Sequence, residues 1–283
     1  PFFCHILYGP WRNKPRVDAR DEVPYDRLDQ YAAWGVQVIE LHHDVWAHFG
    51  RMEPINPAVF TRFVDYCHKK GMEVYVYMVL GQTSLADPPL DPNALAQPIY
   101  PIRPPDQRKK APTEYLATWV QACAASPAWH HYVVSGVEKL FTDYKVDGIY
   151  IDGGIVWGER CKHTSRTHAV QHYHRMLDQD GQDSAYPLVD QGPRLDAYAM
   201  DIVNQLCSLA KSYNKGVTAY LNHPDRYSNY GLPNRFIDHR LAGEAGDTKA
   251  FRYWIDMNRA EKRSIYQVYS WWDMNTMPPE EPC

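Results

Sequence analysis

Apolar residues recur along the chain in two alternating periods, which predict alternating strands and helices. Seven short runs rich in β-branched and aromatic residues are typical of buried strands, and amphipathic stretches at helical spacing separate them. This alternation favours parallel βα units, because parallel strands need a crossover connection. The seven predicted strands are FFCHILY, VQVIELHHDVW, MEVYVYMVLG, DGIYID, VTAYLNH, RFIDHRLAGE and SIYQVYSWW.

Capping residues mark where the predicted helices begin and end. Asn56 and Ser126 each stand directly before a proline, an arrangement typical of an N-cap followed by the first helical position. Gly35 and Gly71 each follow a helical stretch, where glycine favours termination. The predicted helices are YDRLDQYAAWG, NPAVFTRFVDYCHKKG, SPAWHHYVVSGVEKLFTDYKV, RLDAYAMDIVNQLCSLAKSYNKG and KAFRYWIDMNRAEKR.

Chain length and strand number favour an α/β barrel. One such barrel takes about 250 residues, and this chain has 283. We expect a TIM-like (β/α)8 barrel in a single domain over residues 1–283. Seven strands and no eighth are visible, so three alternatives stay open: the barrel is incomplete, it closes irregularly, or an eighth strand is merged with one of the seven. A doubly wound open sheet is the alternative. Two interruptions are interpreted as loop insertions at about 82–112 and 153–195, the first of them proline-rich and placed over the barrel mouth.

Composition argues against several classes of partner. The net charge is −4 and Lys and Arg are scattered, so no basic stripe for nucleic acid is present. No apolar run approaches the roughly 18 residues of a membrane span. The chain opens at Pro1 without an initiator methionine or a leader, and we expect a soluble, processed protein that is secreted or periplasmic.

The carboxyl ends of the predicted strands carry the candidate chemistry, since both folds place function there. Neither a glycine-rich phosphate motif nor GxSxG occurs, so no nucleotide cofactor and no serine nucleophile is indicated. The 9 Trp and 21 Tyr exceed what a core of this size requires, and some rings are expected to face a ligand. Carboxylate pairs with aromatic platforms are what cleavage of a glycosidic bond needs. The pattern therefore favours a cofactor-independent glycoside hydrolase acting on a carbohydrate.

The candidate residues have structural alternatives. Asp152 ends strand four before two glycines, where it is either catalytic or a cap of the following turn. Glu40 lies inside a strand, where a structural ion pair competes with a substrate contact, whereas Asp147 enters strand four at its opposite end and is interpreted as structural. Glu244 stands between two small residues, where a functional role competes with a buried ion pair to an arginine such as Arg240. The expected substrate-binding residues are Trp11, Arg12, Glu40, His43, Asp44, Trp46, Trp157, His223, Asp247, Trp271 and Trp272.

Two segments carry a resemblance to known enzymes. The segment CAASPAWHHYVVSGVEKLFTDYKVDGIYIDGG resembles the region before and at strand four of bacterial TIM-barrel glycoside hydrolases, and YLNHPDRYSNYGLPNRFIDHRLAGE extends the likeness through strand six. The families resembled are the α-galactosidase and α-glucosidase clan (families 31 and 36) and the family 123-like proteins. The resemblance covers most of residues 25–272.

The clan resemblance implies roles for the carboxylates. Its nucleophilic aspartate ends strand four and its acid/base ends strand six, which implies a retaining mechanism with Asp152 as nucleophile and Glu244 as acid/base. The α-galactosidases have an aspartate at strand six, so Asp247 is the alternative to Glu244. The substrate-assisted route of the family 123-like proteins would need an adjacent Asp-Glu pair, which strand four does not contain.

Two other functions stay open. His163, His168, His172 and His174 form the densest histidine cluster, and the four-residue spacing of His168 and His172 suits zinc on one helix face, as in a metal-dependent hydrolase. No HExxH motif accompanies them. The other alternative is a barrel that binds carbohydrate on its aromatic rings without catalysing a reaction.

Overall fold

The structure, a computed structural model, describes residues 3–6, 23–42, 45–46, 50–84, 119–152, 195–221, 238–242 and 264–267. Within these ranges, four helices are α1 (Tyr25–Ala33), α2 (Pro57–Lys69), α3 (Pro127–Asp143) and α4 (Leu195–Ser212). The strands are β1 (Phe3–Ile6), β2 (Val38–Leu41), β3 (Glu73–Val79), β4 (Gln82–Ser84), β5 (Trp119–Gln121), β6 (Gly148–Asp152), β7 (Gly216–Leu221), β8 (His239–Ala242) and β9 (Ser264–Gln267). None of these helices combines the length and apolar character that a membrane crossing requires.

Seven strands form one parallel sheet in the order β1-β2-β3-β6-β7-β8-β9. Each lies within one of the strands predicted from the sequence, which confirms that these strands exist, although the second ends at Leu41 and does not continue to Trp46 as predicted. The order rises steadily along the chain, whereas a doubly wound sheet reverses its order at a switch point. The doubly wound alternative is therefore not what the chain adopts, and β6 and β8 are the fourth and sixth strands of the sheet.

The sheet is strongly curved around the side chain of Tyr75. The Tyr75 ring lies across Gly148 and Gly216 on the next two strands, and a Cβ atom on Gly148 would approach its ring atoms to 2.7 Å. The ring also reaches His239, with 6.4 Å between ring centroids, although three strand spacings separate β3 from β8. Those spacings add up to about 14 Å in a flat sheet. The curvature gives the sheet a concave inner face, on which side chains from distant strands meet.

The two faces of the sheet differ in chemistry because successive side chains alternate. Outward-facing residues pack against the helices in the main apolar core, and the inward-facing set is mostly polar and aromatic, with Val38 and Val79 among them. The outward set contains Ile39, Leu41, Val74, Val76, Met78, Ile149, Ile151 and Val217. The inward set contains Glu40, Tyr75, Tyr77, Tyr150, Asp152, Thr218 and His239.

Aspartates at the amino ends of two strands tie neighbouring strands together. Asp147, just before β6, accepts a hydrogen bond from the Val74 N–H at 2.9 Å and lies 2.6 Å from His68 Nε2. Asp238, just before β8, accepts in the same way from the Val217 N–H at 2.9 Å. The contacts of Asp147 confirm its structural interpretation, at the sheet end opposite Asp152.

A short antiparallel hairpin departs from the predicted arrangement. The strands β4 and β5 pair with each other, from Gln82 opposite Gln121 to Ser84 opposite Trp119. The expected insertion at 82–112 thus begins within β4. The pairing of β4 with β5 brings Ser84 and Trp119 next to each other. Residues 85–118, like most of the second expected insertion at 153–195, lie outside the described residues.

The predicted helix caps are present. Asn56 Oδ1 accepts from the Val59 N–H, and Ser126 Oγ accepts from the Ala128 N–H, both at 3.2 Å. Gly35, which follows α1, has a φ of 82°, a left-handed conformation that glycine adopts without steric cost. Local sequence signals therefore fix where α1, α2 and α3 begin or end.

Removing the cap of α3 is expected to destabilise the protein. In Ser126→Ala the Ala128 N–H loses its acceptor, which should lower the free energy of unfolding by about 1 kcal/mol. Ser135→Ala on the same helix is the control, because Ser135 is exposed and its hydroxyl donates to carbonyl groups of its own helix, those of His131 and Tyr132. Urea denaturation compares the two variants, and equal midpoints would contradict the capping role.

Candidate functional site

The candidate site centres on Asp152, the last residue of β6, at the carboxyl end of the sheet. Its side chain is partly exposed, and its Oδ2 atom accepts a hydrogen bond of 2.8 Å from the hydroxyl of Tyr77 on β3. Asp152 lies opposite Val79 on β3, and Tyr77 is two residues before Val79 on the same face of that strand. The Tyr77 side chain therefore extends towards the carboxyl end of the sheet to contact Asp152. A carboxylate that is anchored on one side and still accessible can meet a ligand.

Aromatic rings enclose Tyr77 on the inner face. The ring of His42, the residue after β2, lies 4.2 Å from the Tyr77 ring between centroids. Tyr150 on β6 packs its edge against the same ring at 5.4 Å. All three side chains are buried, so the wall beneath Asp152 is rigid and largely apolar, with polar atoms at its edges.

Two indole groups hold the carboxyl end of β3. Trp46 Nε1 donates to the Tyr77 carbonyl at 2.9 Å, and Trp129 Nε1, from α3, donates to the Leu80 carbonyl at 2.8 Å. Trp46 is 2% exposed and packs against Phe60 in the core. This placement differs from the expected sugar platform, because no ring face of Trp46 is open to a ligand. Its role in the structure is to hold the backbone that carries Tyr77.

Glu40 lies further towards the amino ends of the strands. Its side chain is 0% exposed and it is aligned with Tyr75, one step below Tyr77 on the inner face. The structure therefore places it on the inner face below Asp152, and its role, left open between a structural ion pair and a substrate contact, stays a prediction. Burial, reinforced by the charges of nearby carboxylates that include Glu40, raises the pKa of Tyr75.

The neighbouring positions on β7 and β8 are also polar and enclosed. Burial lowers the pKa of His239, while the carboxylates of Asp238 and Glu40 act in the opposite direction. The hydroxyl oxygen of Thr218 is buried and has no hydrogen-bond partner among the described residues. On the inner face of the sheet below Asp152, burial therefore favours neutral polar side chains. We call this inner face below Asp152 the floor of the site.

The other expected site residues lie outside the described part of the chain, and their roles stay predictions. Glu244 follows the last residue of β8, the sixth strand of the sheet, by two positions in the sequence. Within the described residues, no group of three or more His, Cys, Asp or Glu is placed to hold a metal ion. Outside them are Trp11, Arg12, His43, Asp44, Trp157, His223, Glu244, Asp247, Trp271 and Trp272, together with His163, His168, His172 and His174.

Sequence reasoning missed Tyr77 and Tyr150. The alternation within EVYVYMV does place Tyr75, Tyr77 and Val79 on one face of β3, and this signal could have identified them as inner-face residues. The contact between Tyr77 and Asp152 could not be predicted from this alternation. The two residues are 75 positions apart in the sequence, and the pairing of β3 with β6 brings them together.

Three solved structures share the fold over most of this chain. The cycloisomaltooligosaccharide glucanotransferase of Paenibacillus sp., complexed with cycloisomaltoheptaose, gives a TM-score of 0.63 at 10% identity over 95% of the chain. The GH36 α-galactosidase of Geobacillus stearothermophilus, in complex with 1-deoxygalactonojirimycin, gives 0.57 at 9% identity over 91%. The α-galactosidase of Thermus thermophilus, in complex with p-nitrophenyl α-D-galactopyranoside, gives 0.51 at 14% identity over 90%.

These similarities show the fold alone: seven of the described strands form the parallel sheet of an α/β fold, which TIM-barrel glycoside hydrolases share. The chain spans 38%, 33% and 45% of the length of the three proteins, respectively. Comparison with curated proteins gives no match. Residues 32–173, half of the chain, match the sequence profile of a family described as "Domain of unknown function (DUF6259)", and the chain therefore belongs to the DUF6259 family.

Proposed function

We propose that the chain is the catalytic barrel of a glycoside hydrolase that cleaves a poly- or oligosaccharide with retention of configuration. The observation that carries the proposal is the placement of Asp152. It is a partly exposed carboxylate, held by Tyr77, at the carboxyl end of the fourth of seven consecutively ordered parallel strands. This is the strand end at which the clan resembled by the sequence carries its nucleophile.

The proposed reaction has two displacements. Asp152 attacks the anomeric carbon, and the bond to the leaving oxygen breaks as that oxygen takes a proton from Glu244. Water then attacks the same carbon, Glu244 takes the proton of the water, and the bond to Asp152 breaks. The carboxylate of Asp152 must be ionised and the acid protonated at the start, so their environments must differ.

The floor of the site supports this division of roles. The Tyr77 hydroxyl favours the charged form of Asp152 by donating to it. The enclosed, aromatic surroundings of Tyr77 keep water away from the inner side of the carboxylate. The exposed part of the Asp152 side chain is then where a sugar approaches.

The first substrates to test are α-glucosides and α-galactosides. The similar solved structures include a glucanotransferase with a bound cyclic oligosaccharide and an α-galactosidase with a p-nitrophenyl α-galactoside. A panel of p-nitrophenyl α- and β-glycosides, read by phenolate release and by NMR of the first-formed anomer, tests the proposal. We expect release from an α-glycoside with retained configuration, unaffected by a chelator.

The outcomes of this screen separate the functional alternatives. An inverted product would contradict the retaining route, and loss of activity with a chelator would support the metal-dependent alternative. Binding of oligosaccharides without hydrolysis of any substrate would support a carbohydrate-binding barrel and contradict the enzymatic proposal.

Azide rescue identifies the acid/base residue. In Glu244→Ala, azide should restore turnover of an aryl glycoside and give a glycosyl azide of retained configuration, because it attacks the covalent intermediate without needing a base. Asp247→Ala is the matched comparison and should neither need nor respond to azide. Rescue of Asp247→Ala in place of Glu244→Ala, measured by NMR of the azide product, would transfer the role to Asp247.

A further inference from the structure

We infer that Tyr77 is a positioning residue that fixes the orientation of the Asp152 carboxylate and holds it ready for nucleophilic attack. The inference rests on the proposed function of Asp152 and deepens it. It begins from the 2.8 Å hydrogen bond between the Tyr77 hydroxyl and Asp152 Oδ2, which joins two neighbouring strands at their carboxyl ends.

The backbone of Tyr77 is fixed by strand pairing and by a buried side chain. Tyr77 lies opposite Tyr150 in the pairing of β3 with β6, and the pairing of β3 with β2 runs up to the preceding residue, Val76. The Tyr77 carbonyl also accepts the indole N–H of Trp46 at 2.9 Å, in the buried layer behind the sheet. The Cα position of Tyr77 is therefore set by the sheet and by a core side chain, and not by a loop.

The ring of Tyr77 is fixed as firmly as its backbone. His42 covers it with a centroid distance of 4.2 Å and an interplanar angle of 38°, and Tyr150 meets it edge-on at 5.4 Å and 69°. A buried ring held between two others has few alternative rotamers. Its hydroxyl is delivered to one place, so the orientation of Asp152 is set before any substrate binds.

A tyrosine hydroxyl is suited to this task. It remains a donor over the pH range in which a retaining glycosidase operates, because an ordinary tyrosine loses its proton only near pH 10. As a neutral donor it favours the carboxylate over the carboxylic acid without cancelling the charge. A guanidinium or ammonium group would hold the carboxylate more tightly and reduce its tendency to attack.

Tyr77→Phe tests the inference because it removes only the hydroxyl. We expect kcat to fall by about 10- to 100-fold with KM nearly unchanged. The acidic limb of the profile of kcat/KM against pH should move to higher pH, because the carboxylate loses a donor that favours its charged form. If Tyr77 only stabilised the fold, Tyr77→Phe would leave the acidic limb of the pH profile in place and would not lower kcat selectively over KM.

Tyr213→Phe is the matched control. Tyr213 donates to Glu138 at 2.8 Å, the same length as the Tyr77 bond, between α3 and the end of α4. This variant should keep the wild-type profile. If Tyr77→Phe also keeps it, the inference is overturned. Should Tyr77→Phe not fold, 3-fluorotyrosine at position 77 keeps the ring and strengthens the donor, and should move the acidic limb to lower pH; an unmoved limb overturns the inference.

A readout independent of catalysis separates this inference from the proposed function. The carboxyl carbon of Asp152, observed by ¹³C NMR and assigned with Asp152→Asn, should titrate at higher pH in Tyr77→Phe than in the wild type. If the wild-type protein hydrolyses no glycoside, the proposed function fails, and this titration still decides whether Tyr77 controls the charge of Asp152. Identical titration curves in the two proteins would overturn the inference.

Discussion

Replacing Asp152 by asparagine is expected to reduce turnover by a factor on the order of 10⁴. The amide is a poor nucleophile and cannot form the glycosyl ester, but it has nearly the shape of the carboxylate and can still accept the Tyr77 hydroxyl hydrogen bond. Binding of the sugar and the melting temperature should therefore change little. Initial rates with an aryl glycoside, isothermal titration calorimetry and thermal unfolding measure the three quantities.

The control for this variant is Asp65→Asn. Asp65 lies on the exposed side of α2, so its substitution removes one negative charge away from the candidate site and should leave all three quantities unchanged. Turnover by Asp152→Asn within tenfold of the wild type would exclude a nucleophilic role. Loss of binding together with turnover, at an unchanged melting temperature, would make Asp152 a substrate-binding residue.

Trp129→Ala is expected to destabilise the protein strongly. Trp129 is 0% exposed, its indole N–H donates to the Leu80 carbonyl, and its ring stacks on Tyr132 at 5.5 Å. Truncation leaves a large cavity and a buried carbonyl that has lost a donor. We expect the free energy of unfolding to fall by about 3–5 kcal/mol, measured by urea denaturation.

Trp34→Ala is the matched control, because Trp34 follows α1 and is 37% exposed. It should lower the free energy of unfolding by less than about 1 kcal/mol. Similar urea midpoints for Trp34→Ala and Trp129→Ala would contradict the expectation that the buried contacts of Trp129 between α3 and β3 stabilise the protein.

The strands and helix ends were predictable because their signals are local. Alternating apolar runs located all seven strands of the sheet, and the Asn56 and Ser126 caps marked helix starts correctly. The hairpin of β4 and β5 was not predicted. Its two strands have only three residues each, too few for a period to show, and they pair across a long intervening segment.

The site was predictable only in part, because its contacts are made between distant strands. Asp152 stood out as a charge at a strand end before two glycines, and the structure places it, partly exposed, at the carboxyl end of the sheet. Trp46 was also predicted from its place at the end of a predicted strand, yet it lies in the core. Sequence position alone does not tell whether a side chain that follows a strand turns towards the core or towards a ligand. Glu40 was left open between two roles and is fully buried.

Covalent labelling tests the central claim that Asp152 is the nucleophile of a retaining glycosidase. A 2-deoxy-2-fluoroglycosyl fluoride or a cyclitol epoxide of the configuration that the enzyme accepts would be incubated with the wild-type chain and located by peptide mass spectrometry. We expect one label per chain, on Asp152, and none on Asp152→Asn. Inactivation with the label on another carboxylate, such as Glu244 or Asp44, would contradict the nucleophilic role of Asp152.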